Sequence, residues 1–339
     1  MPPDIASANT SVAISDVTGI KELTTLQRLA GSQALWVAVA VVLIAGLMCV
    51  RYPEQYATEE NFYNITRNFS FIGIMALGMT AVIITGGIDI SVGSVMGVVG
   101  IVVGLILNAG EAWWWAVLAG LATGVFWGLF NGLLVTRVGL PPFVTTLGTL
   151  AIARAAAVVL SGNRILYEFG PYGDSFFKIF GGQFIVATSV WLLLIMTVGL
   201  AFVLKATVWG RHLYAIGGNE QAAQLTGVPV MRVKLQAYVF CSVCAAIASI
   251  MLLAWQGSAI NALGTGYELR VIASTVIGGT NLMGGEGGAF GAMVGAALQE
   301  VIRNGLIMAG VDSNYTGIFS GAFIILAVLL ERIRGKKRE

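Results

Sequence analysis

The chain is poor in charge. Asp, Glu, Lys and Arg make up only 11% of its 339 residues, where soluble domains carry about 25%. With 57% hydrophobic residues, that shortage excludes a soluble globular domain and implies a polytopic membrane protein. Histidine is nearly absent: His212 is the only one, which leaves no basis for histidine catalysis or a histidine-rich metal centre. Three cysteines, Cys49, Cys241 and Cys244, all fall in apolar runs. C-S-V-C at 241–244 has the spacing of half a zinc site, but zinc takes about four ligands. Helix packing is the better reading, and no disulfide framework is implied. No nucleophile–base pair stands out, no metal is expected, and a net charge of +2 gives no nucleic-acid footprint. The phosphate-loop string G-x-x-x-x-G-K-[ST] occurs nowhere, so the chain does not use ATP through that motif. Residues 1–33 lack the short apolar stretch and small-residue cleavage site of a signal peptide. They are read as a cytoplasmic tail.

What is present is a series of apolar runs, at 34–50, 68–85, 93–108, 113–136, 140–160, 185–204, 234–255, 268–280, 288–308 and 315–331. A crossing takes about 20 residues, so the expectation is an all-α protein of about ten transmembrane helices. The run at 268–280 is the shortest. The permease-like body spans 34–331 and a basic tail occupies 332–339. With both termini inside, 12 of the 19 Lys and Arg residues fall on inner segments and 4 on outer ones, as the positive-inside rule requires. Trp113, Trp114 and Trp115 open a span at an expected outer interface, where indole rings prefer to sit. Glycine is plentiful, with 44 residues. G-L-A-T-G (120–124) and G-A-M-V-G (291–295) are small-xxx-small patterns that let helix backbones approach.

Three stretches interrupt the apolar pattern. T-G-G-I-D-I-S-V-G-S (85–94) holds Asp89, the only charge between Arg67 and Glu111. A break at membrane depth is tolerated only where it is buried in protein or lines a cavity. Asp89 therefore reads either as part of a pathway-lining element or as a helix cap at a tight turn. A second glycine-rich break, 257–280, puts Glu268 and Arg270 at the start of an apolar run. If the spans form a 5+5 inverted repeat, the two breaks correspond. The third stretch is G-G-T-N-L-M-G-G-E-G-G (278–288). Arg154, Arg270 and Arg303 fall towards outer span ends. Snorkelling to the interface is the simple reading, and for Arg270 and Arg303 an outer docking patch is the alternative. The longest internal inner loop, 205–233, carries N-E-Q-A-A-Q-L: Asn219 as N-cap, Glu220 in the first turn, Gly227 past the end and Pro229 beyond.

In order along the chain, T-G-G-I-D-I-S-V-G-S, P-F-V-T-T-L-G-T (142–149), G-R-H-L-Y-A-I-G-G-N-E-Q-A-A-Q-L-T-G-V (210–228) and G-Y-E-L-R-V-I-A-S-T-V-I-G-G-T-N-L-M-G-G-E-G (266–287) resemble the permease subunits of bacterial ABC importers for monosaccharides, the ribose, xylose, arabinose and galactose permease family. The resemblance covers roughly 34–335. It implies a fold similar to that of the vitamin B12 importer's permease and a location in the bacterial inner membrane. It also implies three kinds of partner: a second permease chain (the same or a relative), a cytoplasmic ATPase with two nucleotide-binding domains that uses ATP and Mg, and a periplasmic sugar-binding protein. No cofactor would be bound by this chain. Gly217, Gly218, Asn219, Glu220, Ala222, Ala223 and Gly227 then match the segment that couples to the ATPase. Asp89, Ser91, Asn131, Thr145, Thr146 and Glu268 become polar candidates for the substrate pathway, and Arg270 and Arg303 for binding-protein docking. Alternatives are an ABC permease for a branched-chain amino acid or a furanose-like signal molecule, and an ion-coupled secondary transporter. The scarcity of intramembrane carboxylates counts against the last.

Overall fold

The computed structural model describes residues 32–312 without interruption, together with Tyr315, Gly317, Ile318, Gly321, Ala322 and Ile325. Nearly all of the expected tail 1–33, most of the expected span 315–331 and the tail 332–339 lie outside the described residues. The described part is built from helices. In chain order they are α1 (Gln33–Arg51), α2 (Pro53–Tyr56), α3 (Glu59–Ile84), α4 (Val92–Asn108), α5 (Trp113–Thr136), α6 (Pro142–Ser161), α7 (Gly173–Phe180), α8 (Thr188–Ala206), α9 (Val208–Gly218), α10 (Glu220–Leu225), α11 (Val230–Gln256), α12 (Tyr267–Ile277) and α13 (Ala289–Met308). Between α7 and α8 a two-residue antiparallel hairpin pairs Phe184 with Val186.

Local chemistry sets the helix ends. Thr58 caps α3 by accepting the Asn61 N–H at 3.1 Å, with Glu59 and Glu60 in the first turn, where carboxylates meet the positive end of the helix dipole. α6 begins on Pro142 and stops at Gly162, whose φ is +58°. Among the described residues six helices, α1, α3, α5, α6, α8 and α11, are long and apolar enough to cross a membrane.

α3 is the axis of the molecule. Every residue from Ser70 to Ile84 is buried, as expected of a helix that is apolar all round. It packs against α8, α11, α12 and α13, while α11 also packs on α4 and α5, and α6 on α4. α1 packs on α13 and turns Val42, Leu43 and Leu47 outward, each at least 66% exposed. Such surface costs nothing against lipid tails, so close packing rather than apolar burial must hold these helices together. The glycines provide that closeness. Gly120, Gly124, Gly128 and Gly132 form one stripe of α5: the last three lie against α11, and Gly120 lies chiefly against Val103 of α4. A Cβ on Gly128 would lie 2.5 Å from the Val239 Cα and 2.9 Å from the Tyr238 oxygen. Gly291 and Gly295 of α13 press in the same way on the carbonyls of Gly278, the C-cap of α12, and of Ser274 within α12. Cys241 and Cys244 are free and buried and face Gly78 of α3, so they serve the α3–α11 crossing.

Two of the expected spans, α4 and α12, are helical over too short a length to cross by helix alone. α4 has 17 residues and α12 has 11, about 26 and 16 Å at 1.5 Å per residue, against a hydrocarbon core of about 30 Å. Ser249, in the last third of α11, donates to the Met96 carbonyl at 2.7 Å. α4 therefore starts partway up α11, after a non-helical segment that climbs back into the core. At the far end of the bundle, Trp113 meets Phe180 of α7 with ring centroids 5.7 Å apart, and Trp114 meets Tyr172 at 5.9 Å.

Candidate functional site

The climbing segment is the stretch that holds Asp89. Gly86 takes a φ of +77°, and the Gly87 N–H donates back to the Val82 carbonyl at 3.1 Å, which reverses the chain after α3. Gly87 lies so close to α11 that a Cβ would stand 2.8 Å from the Tyr238 hydroxyl. Asp89 is fully buried and takes part in no ion pair among the described residues. Its Oδ1 accepts the Ser91 N–H at 2.9 Å and the Ser91 hydroxyl at 2.6 Å. Asn131 of α5 donates to the Ser91 Oγ at 2.8 Å and lies 3.4 Å from both carboxylate oxygens. Thr146 of α6 donates to the Pro142 carbonyl at 2.9 Å, with the Ile88 carbonyl at 3.4 Å. Four of the six pathway candidates, Asp89, Ser91, Asn131 and Thr146, are thus gathered around one break. These hydrogen bonds offset the cost of burying a carboxyl group without an ion-pair partner. They also give the capping alternative physical content, because Asp89 holds the backbone just before α4. Thr145 is turned to the Pro141 carbonyl instead.

The second break approaches the same place from the other side. α11 ends at Gly257, with φ +68°, and Ala259 exchanges two backbone hydrogen bonds with Leu166. Arg154 then donates from Nη1 to the Asn261 and Leu263 carbonyls, at 3.1 and 2.9 Å. It does not snorkel: it satisfies backbone groups that a non-helical segment leaves open. Glu268 accepts the Gly266 N–H at 3.3 Å through Oε1, while its Oε2 is buried and without a partner. Gly93, in the first turn of α4, faces the Gly264 carbonyl and that Glu268 oxygen, and a Cβ there would collide with both. The two breaks therefore meet at the start of α4. The Asn131 Oδ1 and the Tyr238 hydroxyl are also buried and unpartnered.

Arg270 and Arg303 have a partner the sequence reading missed. Glu300 of α13 is fully buried. Its Oε2 accepts from Arg270 Nη2 at 2.8 Å and Arg303 Nε at 2.9 Å, and its Oε1 accepts from Arg303 Nη2 at 2.5 Å. The signal was present in Q-E-V-I-R (299–303), a Glu and an Arg three apart in an apolar run. The two arginine side chains stay 19% and 29% exposed.

At the end of the bundle opposite α7, Asn219 caps α10 by accepting the Ala222 N–H at 2.9 Å. Gly227 follows the helix with φ +85°. Glu220 pairs with Lys234 of α11 at 2.5 Å. Of the remaining residues expected in this segment, Ala223 is buried and Ala222 exposed; Gly218 ends α9 with open space beside it, whereas Gly217 is enclosed. Tyr214 of α9 donates to the Gly287 carbonyl at 2.8 Å, and burial pushes its phenol above the usual tyrosine range, so it stays a donor at neutral pH.

Known proteins match this chain along most of its length. The family described as branched-chain amino acid transport system / permease component matches residues 61–328. The ribose import permease protein RbsC of Escherichia coli K12 is 36% identical over 296 residues, 86% of this chain and 92% of its own. RbsC of Bacillus subtilis 168 is 35% identical over 313 residues, 91% and 93% of the two chains. The autoinducer 2 import system permease protein LsrC of Photorhabdus laumondii is 32% identical over 306 residues, 90% of each chain. No solved structure matches.

Proposed function

We propose, on the premise that this chain belongs to the branched-chain amino acid transport system / permease component family, that it is the membrane-spanning permease of an ATP-driven ABC importer for a monosaccharide, with a pentose as the first candidate. The observation that carries the reading is the near full-length likeness to permeases named for ribose import. In this reading the chain is a transporter component and not an enzyme. It binds no cofactor itself, and ATP and Mg are used by a cytoplasmic ATPase with two nucleotide-binding domains. A periplasmic binding protein brings the sugar, and a second permease chain completes the pathway. The chain lies in the bacterial inner membrane with both termini and α9–α10 in the cytoplasm.

The ten-span count takes α1, α3, α4, α5, α6, α8, α11, α12 and α13 as nine spans and 315–331 as the tenth. A 5+5 inverted repeat, in a fold like that of the vitamin B12 importer's permease, draws support from reciprocal packing. The fourth span, α5, packs on the seventh, α11, and the ninth, α13, packs on the second, α3. The third packs on the seventh and the eighth on the second in the same way. Interrupted spans in matching positions of two halves mark transport pathways. Asp89, Ser91, Asn131, Thr146 and Glu268, at the meeting of the breaks, would offer transient hydrogen bonds to sugar hydroxyls once the breaks part.

The likeness to LsrC favours autoinducer 2 import as a second reading. One experiment separates them. The complex is reconstituted in liposomes with its ATPase and binding protein, and ATP-dependent uptake of D-ribose and of autoinducer 2 is measured. Ribose uptake supports the first reading and autoinducer 2 uptake alone supports the second. Uptake driven by an ion gradient with the permease chain alone would overturn both.

A further inference from the structure

Three glycine pairs far apart in the sequence converge at the α9–α10 end of the bundle. Gly86–Gly87 opens the first break, Gly217–Gly218 ends α9, and Gly284–Gly285 sits in the turn before α13. That turn is closed by two backbone hydrogen bonds, Asn281 N–H to the Glu286 carbonyl and Gly284 N–H to the Asn281 carbonyl, each 3.0 Å. It is wedged between the other two pairs. A Cβ on Gly284 would stand 3.0 Å from the Gly86 nitrogen on one side and 3.1 Å from the Gly217 Cα and oxygen on the other. The Gly285 N–H donates to the Ile84 carbonyl, the last of α3, at 2.9 Å. Gly217 faces that same carbonyl and the Gly285 nitrogen so closely that a methyl group there would overlap both. The Tyr214 hydroxyl adds a tie from α9 to Gly287 at 2.8 Å.

We infer that the 281–286 turn is a transmission element, and that Gly217 and Tyr214 are positioning residues that carry motion of α9–α10 through it into the 85–91 break. Three backbones in contact, with no side chain between them, form a stiff joint, because packed interiors transmit displacement rather than absorb it. A shift of α9 cannot leave Gly285 in place without opening the contact at Gly217. Gly285 in turn holds the carbonyl from which the break departs. The inference rests on the reading of α9–α10 as the coupling segment.

The test uses the complete complex with its ATPase, trapped with ATP and vanadate, and reads backbone hydrogen exchange with and without nucleotide. In the wild type, nucleotide is expected to change exchange at 208–225, at 281–286 and at 84–92. In Gly217→Ala the response at 208–225 stays and the response at 84–92 is lost. Gly288→Ala, whose added methyl meets open space, responds like the wild type. If Gly217→Ala does not assemble, Tyr214→Phe, which removes one hydroxyl and leaves the backbone unchanged, is expected to weaken the response at 84–92 relative to that at 208–225. A full response at 84–92 in whichever variant assembles overturns the inference. So does a wild type in which 208–225 responds but 281–286 does not. Absence of any nucleotide response at 208–225 in the wild type overturns the coupling reading, and the transmission element with it.

Discussion

Asp89 is the residue where chemistry and position are most tightly joined. Its carboxylate is fully buried and holds both the amide and the hydroxyl of Ser91. Asp89→Ala would strand both donors, at about 1–3 kcal/mol for each unsatisfied group. We expect a clear drop in melting temperature for that variant. Asp89→Asn keeps one acceptor oxygen, so it should assemble with the ATPase but alter uptake kinetics. Wild-type uptake by Asp89→Asn would leave the residue a helix-start cap and nothing more. Gly128 makes a purely steric case. With the Val239 Cα 2.5 Å from where a Cβ would stand, Gly128→Ala must push α5 off α11, and overpacking of this kind costs about 1–3 kcal/mol. Gly148→Ala, in open space on α6, should leave the melting temperature unchanged. Equal melting temperatures for the two variants would refute the close α5–α11 contact.

At the scale of elements, α12 and α13 are joined by a buried carboxylate between two guanidinium groups. Removing one side of such a cluster leaves charge unpaired, a loss of about 3–5 kcal/mol, so Glu300→Gln should lower stability far more than its near-identical shape suggests. A melting temperature within a degree or so of wild type would mean that the cluster relaxes freely to solvent. The α10 helix poses a different problem. It has six residues, too few to be stable alone, and it depends on the Asn219 cap and on the burial of Ala223, with the Glu220–Lys234 pair beside them. That pair is half open on the Glu220 side and is worth little in energy. Glu220→Lys, or Gly227→Val at a φ of +85°, should therefore spare membrane insertion and uncouple ATP hydrolysis from uptake. Normal uptake by both variants, with the ATPase still bound, would sink the coupling assignment.

For the whole molecule, the decisive property is what accompanies it. Gentle purification from native membranes should bring down an ATPase with two nucleotide-binding domains in fixed stoichiometry. A second permease-like chain in the same preparation would mark a heterodimer, and its absence a homodimer. A chain that purifies alone and takes up sugar on an ion gradient would exclude the ABC assembly.

The sequence by itself determined the class of the molecule and the position of its long apolar helices, but not α7 or α9, which lie outside the expected runs. Scarce charge and long apolar runs are one-dimensional properties, and nine of the ten expected runs coincide with helices among the described residues. The α10 helix was legible for the same reason, since cap, first turn and stop all lie within ten residues of chain. Small-xxx-small spacing likewise pointed to the faces that pack, because helical periodicity puts residues four apart on one side. Tertiary structure decided the rest. Nothing in the sequence says that Arg154 serves the carbonyls of Asn261 and Leu263, 107 and 109 residues away. Nor does it say that Gly86, Gly217 and Gly284 touch. Backbone contacts across such separations leave no local pattern: glycine signals that something comes close, and only the folded chain shows what.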